Sequence, residues 1–395
     1  MIQLGKDAVI GVVGAGAMGT GIAQMALTRG HRVLLTDAYV PAVARARESL
    51  TESLDKEVAK GRLTSAAAQL ALDRLALVEP VDGLSRFGEC ALVIEAIVEQ
   101  LEVKRATFRS LEQAVPDDCV LATNTSSLSV ASIAGACARP DRVLGVHFFN
   151  PAPVMPLVEV VAAIRTSDEV ATAIRALLDG WGKTTVLAAD TPGFIVNRVA
   201  RPFYGESLRI LEEGLADAPT IDWALREIGG FRMGPFLLMD FIGNDVNYAV
   251  TESVWTALYY DPRYRPSLTQ RRLVEAGWLG RKTGRGFYDY HPDAPPRPAM
   301  EDRALGDRIV MRVVSMLVNE AVDAVLLNIA TPPAIELAMT KGVNYPKGLL
   351  TWGQEIGLDR VLAEIERLRE ECGDERYRSS PLLRRMVREE RRFFQ

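Results

Sequence analysis

Of the three histidines in this 395-residue chain, His147 stands in the segment GVHFFNPAPVMPLVEVV, residues 145 to 161. An imidazole between Val146 and Phe148 is, by itself, more often a satisfied core residue than a catalyst. Glu159 changes that reading, because it interrupts an otherwise apolar run, LVEVV, twelve positions downstream. A carboxylate is costly to bury unless it is paired. The intervening NPAPVMP is turn-forming, so a hairpin-like return would carry Glu159 back to the imidazole. An imidazole oriented by an anion, which also supports it once protonated, has what a general base needs.

A second constellation is GAGAMG, which puts Gly14, Gly16 and Gly19 at the spacing of a dinucleotide-binding turn. The first glycine permits the tight turn, the second lets the backbone approach a pyrophosphate, and the third allows close packing of the following helix. Such a spacing is weak on its own. Here it follows the apolar run AVIGVV (8–13), opens a helical pattern, and precedes a second run, RVLLTD (32–37), that ends on Asp37. Gly14, Ala15, Gly16, Ala17, Met18 and Gly19 are therefore expected to face a dinucleotide. A carboxylate at Asp37 accepts from a ribose 2′-hydroxyl and repels a 2′-phosphate, so the cofactor should be NAD and not NADP.

These residues need a scaffold, and the first half of the chain supplies one. Further strand candidates are LALV (75–78), ALVIEA (91–96), CVLATN (119–124) and RVLGVHF (142–148), with helical periodicity between them at 41–60 and 100–114. Runs that are apolar throughout and separated by helices indicate parallel strands covered on both faces. Residues 1–190 thus read as an α/β, Rossmann-type doubly wound sheet. His147 falls near the C-terminal end of its strand, the edge where such sheets bind ligands.

Beyond DTPG (190–193) the pattern is helical, interrupted by the Gly/Pro-rich GRKTGRGFYDYHPDAPPRP (280–298). The two helical blocks match without gaps at an offset of 114 residues: Arg198 meets Arg312, Glu206 meets Glu320, Ile221 meets Ile335 and Ala224 meets Ala338. Gly234, Gly243 and Asp245 likewise meet Gly348, Gly357 and Asp359. This pattern favours duplication. Two all-α domains are expected, at 191–295 and 296–395. Asn197 has become Met311 in the second, which should be structural.

Composition excludes several classes. A net charge of −5 offers no footprint for nucleic acid or an anionic membrane. Cys90, Cys119, Cys137 and Cys372 lack metal-ligand or redox spacing, which suits free thiols in a reducing compartment and gives no reason to expect a metal. No run of eighteen apolar residues occurs, and the N-terminus does not read as a signal peptide. A soluble, cytoplasmic protein is expected.

With these residues in view, the chain resembles the L-3-hydroxyacyl-CoA dehydrogenases, in the branch of bacterial 3-hydroxybutyryl-CoA dehydrogenases. The motifs that carry the resemblance are GVVGAGAMGTGIA, VIEAIVEQLEVK, ATNTSSLSV, GVHFFNPAPVMPLVEVV, DTPGFIVNR, GPFLLMDFIG and GRKTGRGFYDY, in family order over residues 5 to 290. The second helical block resembles the duplicated C-terminal domain of some members. The resemblance implies NAD-dependent oxidation of an L-3-hydroxyacyl-CoA, with His147 taking the hydroxyl proton and Glu159 holding its other ring nitrogen. It places Ser126 and Asn197 at the reacting oxygen, although each also reads as a turn or helix-capping residue. It adds Glu99, Lys104, Asn150 and Lys282 as cofactor contacts, and Ser53 and Lys60 as contacts to CoA. Ser53 and Lys60 lie seven apart, about two helical turns, and so share a face, which could equally be a plain polar one.

Acyl-chain length is not legible. A dicarboxylic acyl group would be accommodated if an arginine such as Arg232 faced the pocket, a surface position being the alternative. The chain is expected to be a homodimer, or a monomer whose second helical block replaces a partner's. Two other readings stand beside this one: a dehydrogenase of a CoA-free hydroxy acid, and a non-catalytic nucleotide-binding protein of the same fold. A purely structural role would not require Ser126, His147, Glu159 and Asn197 together.

Overall fold

The structure is a computed structural model that describes residues 4–79, 83–295 and 297–395. Met1 and Pro296, where the first and third expected domains begin, lie outside the described residues. The chain divides into two compact units, Met1–Thr191 and Pro192–Gln395.

In the first unit, β1 (Ile10–Val13), β2 (Val33–Thr36), β3 (Leu75–Leu77), β4 (Leu92–Glu95), β5 (Val120–Thr123), β6 (Val143–Phe148), β7 (Leu157–Ala162) and β8 (Thr184–Ala189) form one sheet. Their order is β3-β2-β1-β4-β5-β6-β7-β8. The six strands from β1 to β6 run parallel, as their unbroken apolar character requires, while β7 turns back antiparallel to β6 and β8 runs parallel to β7. Strand β8 has no counterpart in the sequence reading. Its run, TTVLAA, is short of large apolar residues and merges into the DTPG loop.

Helices α1 (Ala17–Thr28), α2 (Val40–Ala59), α3 (Ser65–Asp73), α4 (Leu101–Ala114), α5 (Val130–Ala134) and α6 (Asp168–Gly180) flank the sheet. Several begin where a side chain satisfies an orphan amide: Thr64 accepts from the Ala67 amide and Ser167 from that of Val170. Two buried apolar clusters result. One contains Ile22, Leu35, Leu50 and Ile94; the other contains Leu34, Phe87, Phe108 and Leu121. The adjacent residues Leu34 and Leu35 serve different clusters, as alternate faces of a covered sheet require. Because β1 lies between β2 and β4, the chain reverses direction across the sheet there, at the crevice where such sheets bind ligands.

The second unit is helical: α7 (Val196–Val199), α8 (Arg201–Glu212), α9 (Ala218–Trp223), α10 (Pro235–Ile242), α11 (Asn244–Ala257), α12 (Leu268–Glu275), α13 (Arg303–Leu326), α14 (Pro332–Leu337), α15 (Leu349–Ile356), α16 (Leu358–Cys372) and α17 (Pro381–Arg388). Elements recur at the 114-residue offset. The π-helical turn Ala224–Ile228 reappears as Ala338–Gly342, and α10 reappears as α15. Gly243 and Gly357 follow these last helices with φ of 105° and 101°. The copies differ where α7 and α8 are separate and α13 is continuous. Pro202 in the second position of α8 explains this, since it has no amide to donate and crowds the preceding turn, whereas its counterpart is Met316.

The two blocks do not form separate compact bodies. Helix α13 packs on α8 of the first block and on α15, α16 and α17 of its own. Ion pairs cross reciprocally between them: Arg198 Nε meets Glu320 Oε1 at 2.8 Å, and Arg312 Nε meets Glu206 Oε2 at 3.1 Å. Tyr264 donates to Glu320 as Tyr377 donates to Glu206. This exchange of equivalent partners is the signature of an isologous, two-fold interface, here within one chain. Among the described residues no helix is long and apolar enough to cross a membrane.

Candidate active site

The hairpin expected around His147 forms between β6 and β7, whose register puts His147 directly opposite Glu159. Imidazole Nδ1 lies 2.7 Å from Glu159 Oε2, and Glu159 is fully buried. The connecting loop is pinned by Lys183, whose ammonium donates to the carbonyls of Ala152 and Met155 at 2.6 Å each. Burial, with the Arg29 guanidinium nearby, lowers the Lys183 pKa to about 8. Phe149 packs on the imidazole with ring centroids 4.4 Å apart.

Ser126 follows β5 and is held from β4. The Glu99 carboxylate accepts from Thr125 Oγ1 at 2.6 Å, from the Ser126 amide at 3.0 Å and from Ser127 Oγ at 3.2 Å. Partial burial opposes its ionisation, but the Lys104 ammonium and the bonds from Thr125 and Ser126 outweigh this and hold the carboxyl below its ordinary range. Lys104 is almost fully buried between Glu95, at 2.6 Å, and Glu99, at 3.3 Å. Its ammonium thus positions Glu99. Glu95 also accepts from Thr123 Oγ1 at 2.7 Å.

Asn124 Oδ1 accepts from the Phe148 amide at 2.9 Å, tying the Ser126 loop to the His147 strand. The sequence reading missed Glu95, Asn124, Thr125 and Lys183. The VIEAIVEQLEVK and ATNTSSLSV motifs span three of them, Glu95, Asn124 and Thr125, without marking any as a site residue.

The glycine loop has the form a dinucleotide needs. Gly14 has φ of 110°, which L side chains rarely adopt, and a Cβ at Gly19 would lie 1.8 Å from the Gly14 carbonyl oxygen. A Cβ at Gly16 would meet nothing within 4 Å, so the space over the start of α1 is open to an approaching phosphate. Asp37, just past β2, accepts from the Ala15 amide at 2.7 Å and from the Tyr39 amide at 2.8 Å, fixing its carboxylate beside the loop. These residues fit NAD: a cradle that side chains would fill, and an anion placed to meet a ribose.

A cavity of about 620 Å³ in this unit is bounded by Gly16, Ala17, Asn150, Ser53 and Lys60 together. Ser53 Oγ donates to Gln24 Oε1 at 2.8 Å, and Lys60, which caps α2, pairs with Glu57 at 3.4 Å. In the second unit Asn197 lies inside α7, which begins at Val196 and not at Gly193, so it is not a capping residue. Lys282 is paired with Asp245 at 2.7 Å. Arg232 is exposed, the surface position weighed against a pocket-facing one.

Comparisons with known proteins identify the family. The family profile "3-hydroxyacyl-CoA dehydrogenase, NAD binding domain" matches residues 9–191, and "3-hydroxyacyl-CoA dehydrogenase, C-terminal domain" matches residues 193–290 and again 309–392. The chain is 37% identical to a 3-hydroxyadipyl-CoA dehydrogenase of Escherichia coli K12, over 95% of this chain and 96% of that one. It is 40% identical to a probable 3-hydroxybutyryl-CoA dehydrogenase of Bacillus subtilis, over 71% of this chain and 96% of the relative. A crystal structure of 3-hydroxybutyryl-CoA dehydrogenase from Escherichia coli K12 superimposes with a TM-score of 0.92 at 36% identity, covering 97% and 99% of the two chains. The chain belongs to the 3-hydroxyacyl-CoA dehydrogenase family, and its first unit is that family's NAD-binding domain.

Proposed function

We propose that the chain oxidises short-chain L-3-hydroxyacyl-CoA to 3-ketoacyl-CoA with His147 and Glu159 as its general-base pair, in acyl-CoA degradation. The observation that carries this is the 2.7 Å contact between His147 Nδ1 and a fully buried Glu159. A carboxylate only accepts hydrogen bonds, so Nδ1 carries a proton and Nε2 presents its lone pair. His147 Nε2 takes the proton of the 3-hydroxyl, and Glu159 offsets the positive charge that the ring then holds. When bound, NAD supplies the acceptor for the hydride on C3. Ser126 and Asn197 hold the reacting oxygen; Glu99, anchoring the Ser126 amide, fixes the loop that presents it. Ser53 and Lys60 face CoA, while Asn150 and Lys282 contact the cofactor.

The relatives are named for a four-carbon monocarboxylic and a six-carbon dicarboxylic acyl group, and both belong to the range proposed. The reciprocal pairs Arg198–Glu320 and Arg312–Glu206 support a second helical block that stands in for a partner subunit. Reduction of acetoacetyl-CoA, followed as loss of NADH absorbance, tests the reaction. Turnover is expected. Turnover of free hydroxy acids with none of any 3-ketoacyl-CoA would overturn it.

A further inference from the structure

In the second unit Arg198, Arg209, Arg263 and Arg312 are buried, and each is paired with a buried glutamate. Arg201 is equally buried, 7% exposed, yet pairs with no carboxylate among the described residues. Its Nη1 donates to Thr251 Oγ1 at 3.0 Å, its guanidinium lies 5.0 Å from the Tyr204 ring centroid, and its Nε has no partner. The hydroxyl of Tyr345, which interacts electrostatically with this guanidinium, is also buried without a partner. A guanidinium taken out of water without an anion is costly to keep.

The helical repeat does not require it. At the 114-residue offset Arg201 becomes Ser315, Tyr204 becomes Val318 and Thr251 becomes Ile365. Arg201, Tyr204 and Thr251 thus belong to the block that keeps Asn197 and have no counterparts in the block that has Met311, although Tyr345 reaches the guanidinium from that second block.

We propose that Arg201 binds the free terminal carboxylate of a 3-hydroxydicarboxylyl-CoA and makes the enzyme selective for dicarboxylic acyl groups. This rests on the reading that Asn197 holds the reacting oxygen. Arg201 lies four residues beyond Asn197, across the junction of α7 and α8 at Ala200, whose backbone is itself in the right-handed helical region, so the two positions are separated by about one helical turn. An anion one turn from the reacting carbon belongs to the acyl end of the substrate, since the phosphates of CoA lie beyond the pantetheine arm. In a six-carbon diacyl group two methylenes separate C3 from the carboxylate carbon, a span that the long arginine side chain completes. The planar guanidinium suits a carboxylate, with Nε and a terminal nitrogen side by side.

The test compares kcat/KM for 3-hydroxyadipyl-CoA and 3-hydroxyhexanoyl-CoA, which match in chain length and differ in the terminal carboxylate. The unaltered enzyme should prefer the dicarboxylic substrate, and Arg201→Met should reduce that preference by about a hundredfold, the size of a lost charge-assisted hydrogen bond. Arg201→Lys should restore part of it. Equal losses on both substrates, or no preference in the unaltered enzyme, overturn the assignment. A second measurement needs no variant and no turnover. Adipyl-CoA should raise the melting temperature of the full-length protein more than hexanoyl-CoA does, and equal shifts count against the proposal. Turnover of at least one of the two 3-hydroxyacyl-CoA substrates by the unaltered enzyme separates the two readings, because its absence with both strikes the dehydrogenase assignment itself.

Discussion

The reciprocal ion pairs make a stability prediction that can be worked from the structure. Glu320 is fully buried and accepts from Arg198, Arg263 and Tyr264. Glu320→Gln keeps the volume but leaves two buried guanidiniums short of their shared anion. Breaking a buried pair in this way costs about 3–5 kcal/mol. For a unit of this size, about 2–4 °C per kcal/mol, the melting temperature should fall by about 6–20 °C at pH 7. Glu206→Gln should cost a similar amount, because Arg209, Arg312 and Tyr377 surround that carboxylate in the equivalent way.

The pH dependence has a definite sign. Burial opposes ionisation of Glu320, but Arg263 and Arg198 outweigh it and hold the carboxyl below its ordinary value of 4.5. A depressed folded pKa contributes stability above the unfolded value, and that stability is lost as pH falls through the folded one. Thermal melts of the two proteins from pH 7 to pH 3 should therefore differ most at neutral pH and converge in acid. Equal melting temperatures at pH 7, or a gap that does not narrow below pH 4.5, would refute the pairing as a source of stability.

Three further outcomes follow from the site and the repeat. His147→Gln should lower turnover by about 10² or more while NADH binding, read by fluorescence titration, survives; near-normal turnover would remove His147 from the mechanism. Gly19→Ala places a Cβ against the Gly14 carbonyl and should lower both melting temperature and NADH affinity, whereas Gly16→Ala, which meets open space, should melt normally and bind NADH more weakly. Deleting residues 299–395 removes Glu320 and Arg312, so the remaining block should dimerise or aggregate; a soluble, fully active monomer by light scattering would sink the internal-partner reading.

Short-range features were legible in the sequence. Gly14, Gly16 and Gly19 announce their turn because backbone conformation is set by a few neighbouring residues. A glutamate inside LVEVV announces a partner because its burial is otherwise costly. Its nearness to His147 along the chain, with a turn sequence between, leaves the hairpin as the simplest way to meet. The 114-residue repeat was also readable, since it needs only a comparison of the chain with itself.

Strand β8 escaped because TTVLAA carries little hydrophobic signal, and its place is set by pairing with β7. Glu95 and Asn124 escaped because Thr123 and the Phe148 amide, which they bind, reach them only when β4, β5 and β6 lie side by side. The number of arginines was plain in the sequence, but their standing was not. Arg198 finds Glu320 across 122 positions, and Arg201, three residues further on, finds no carboxylate among the described residues. Burial and pairing are properties of packed neighbours, and the packing of α8 against α13 decides them. The sequence alone determined the family resemblance, the cofactor loop and the candidate base. Only the tertiary structure separated the buried arginines that pair with glutamates from Arg201, which meets no carboxylate among the described residues, because pairing across more than a hundred positions is fixed by packing.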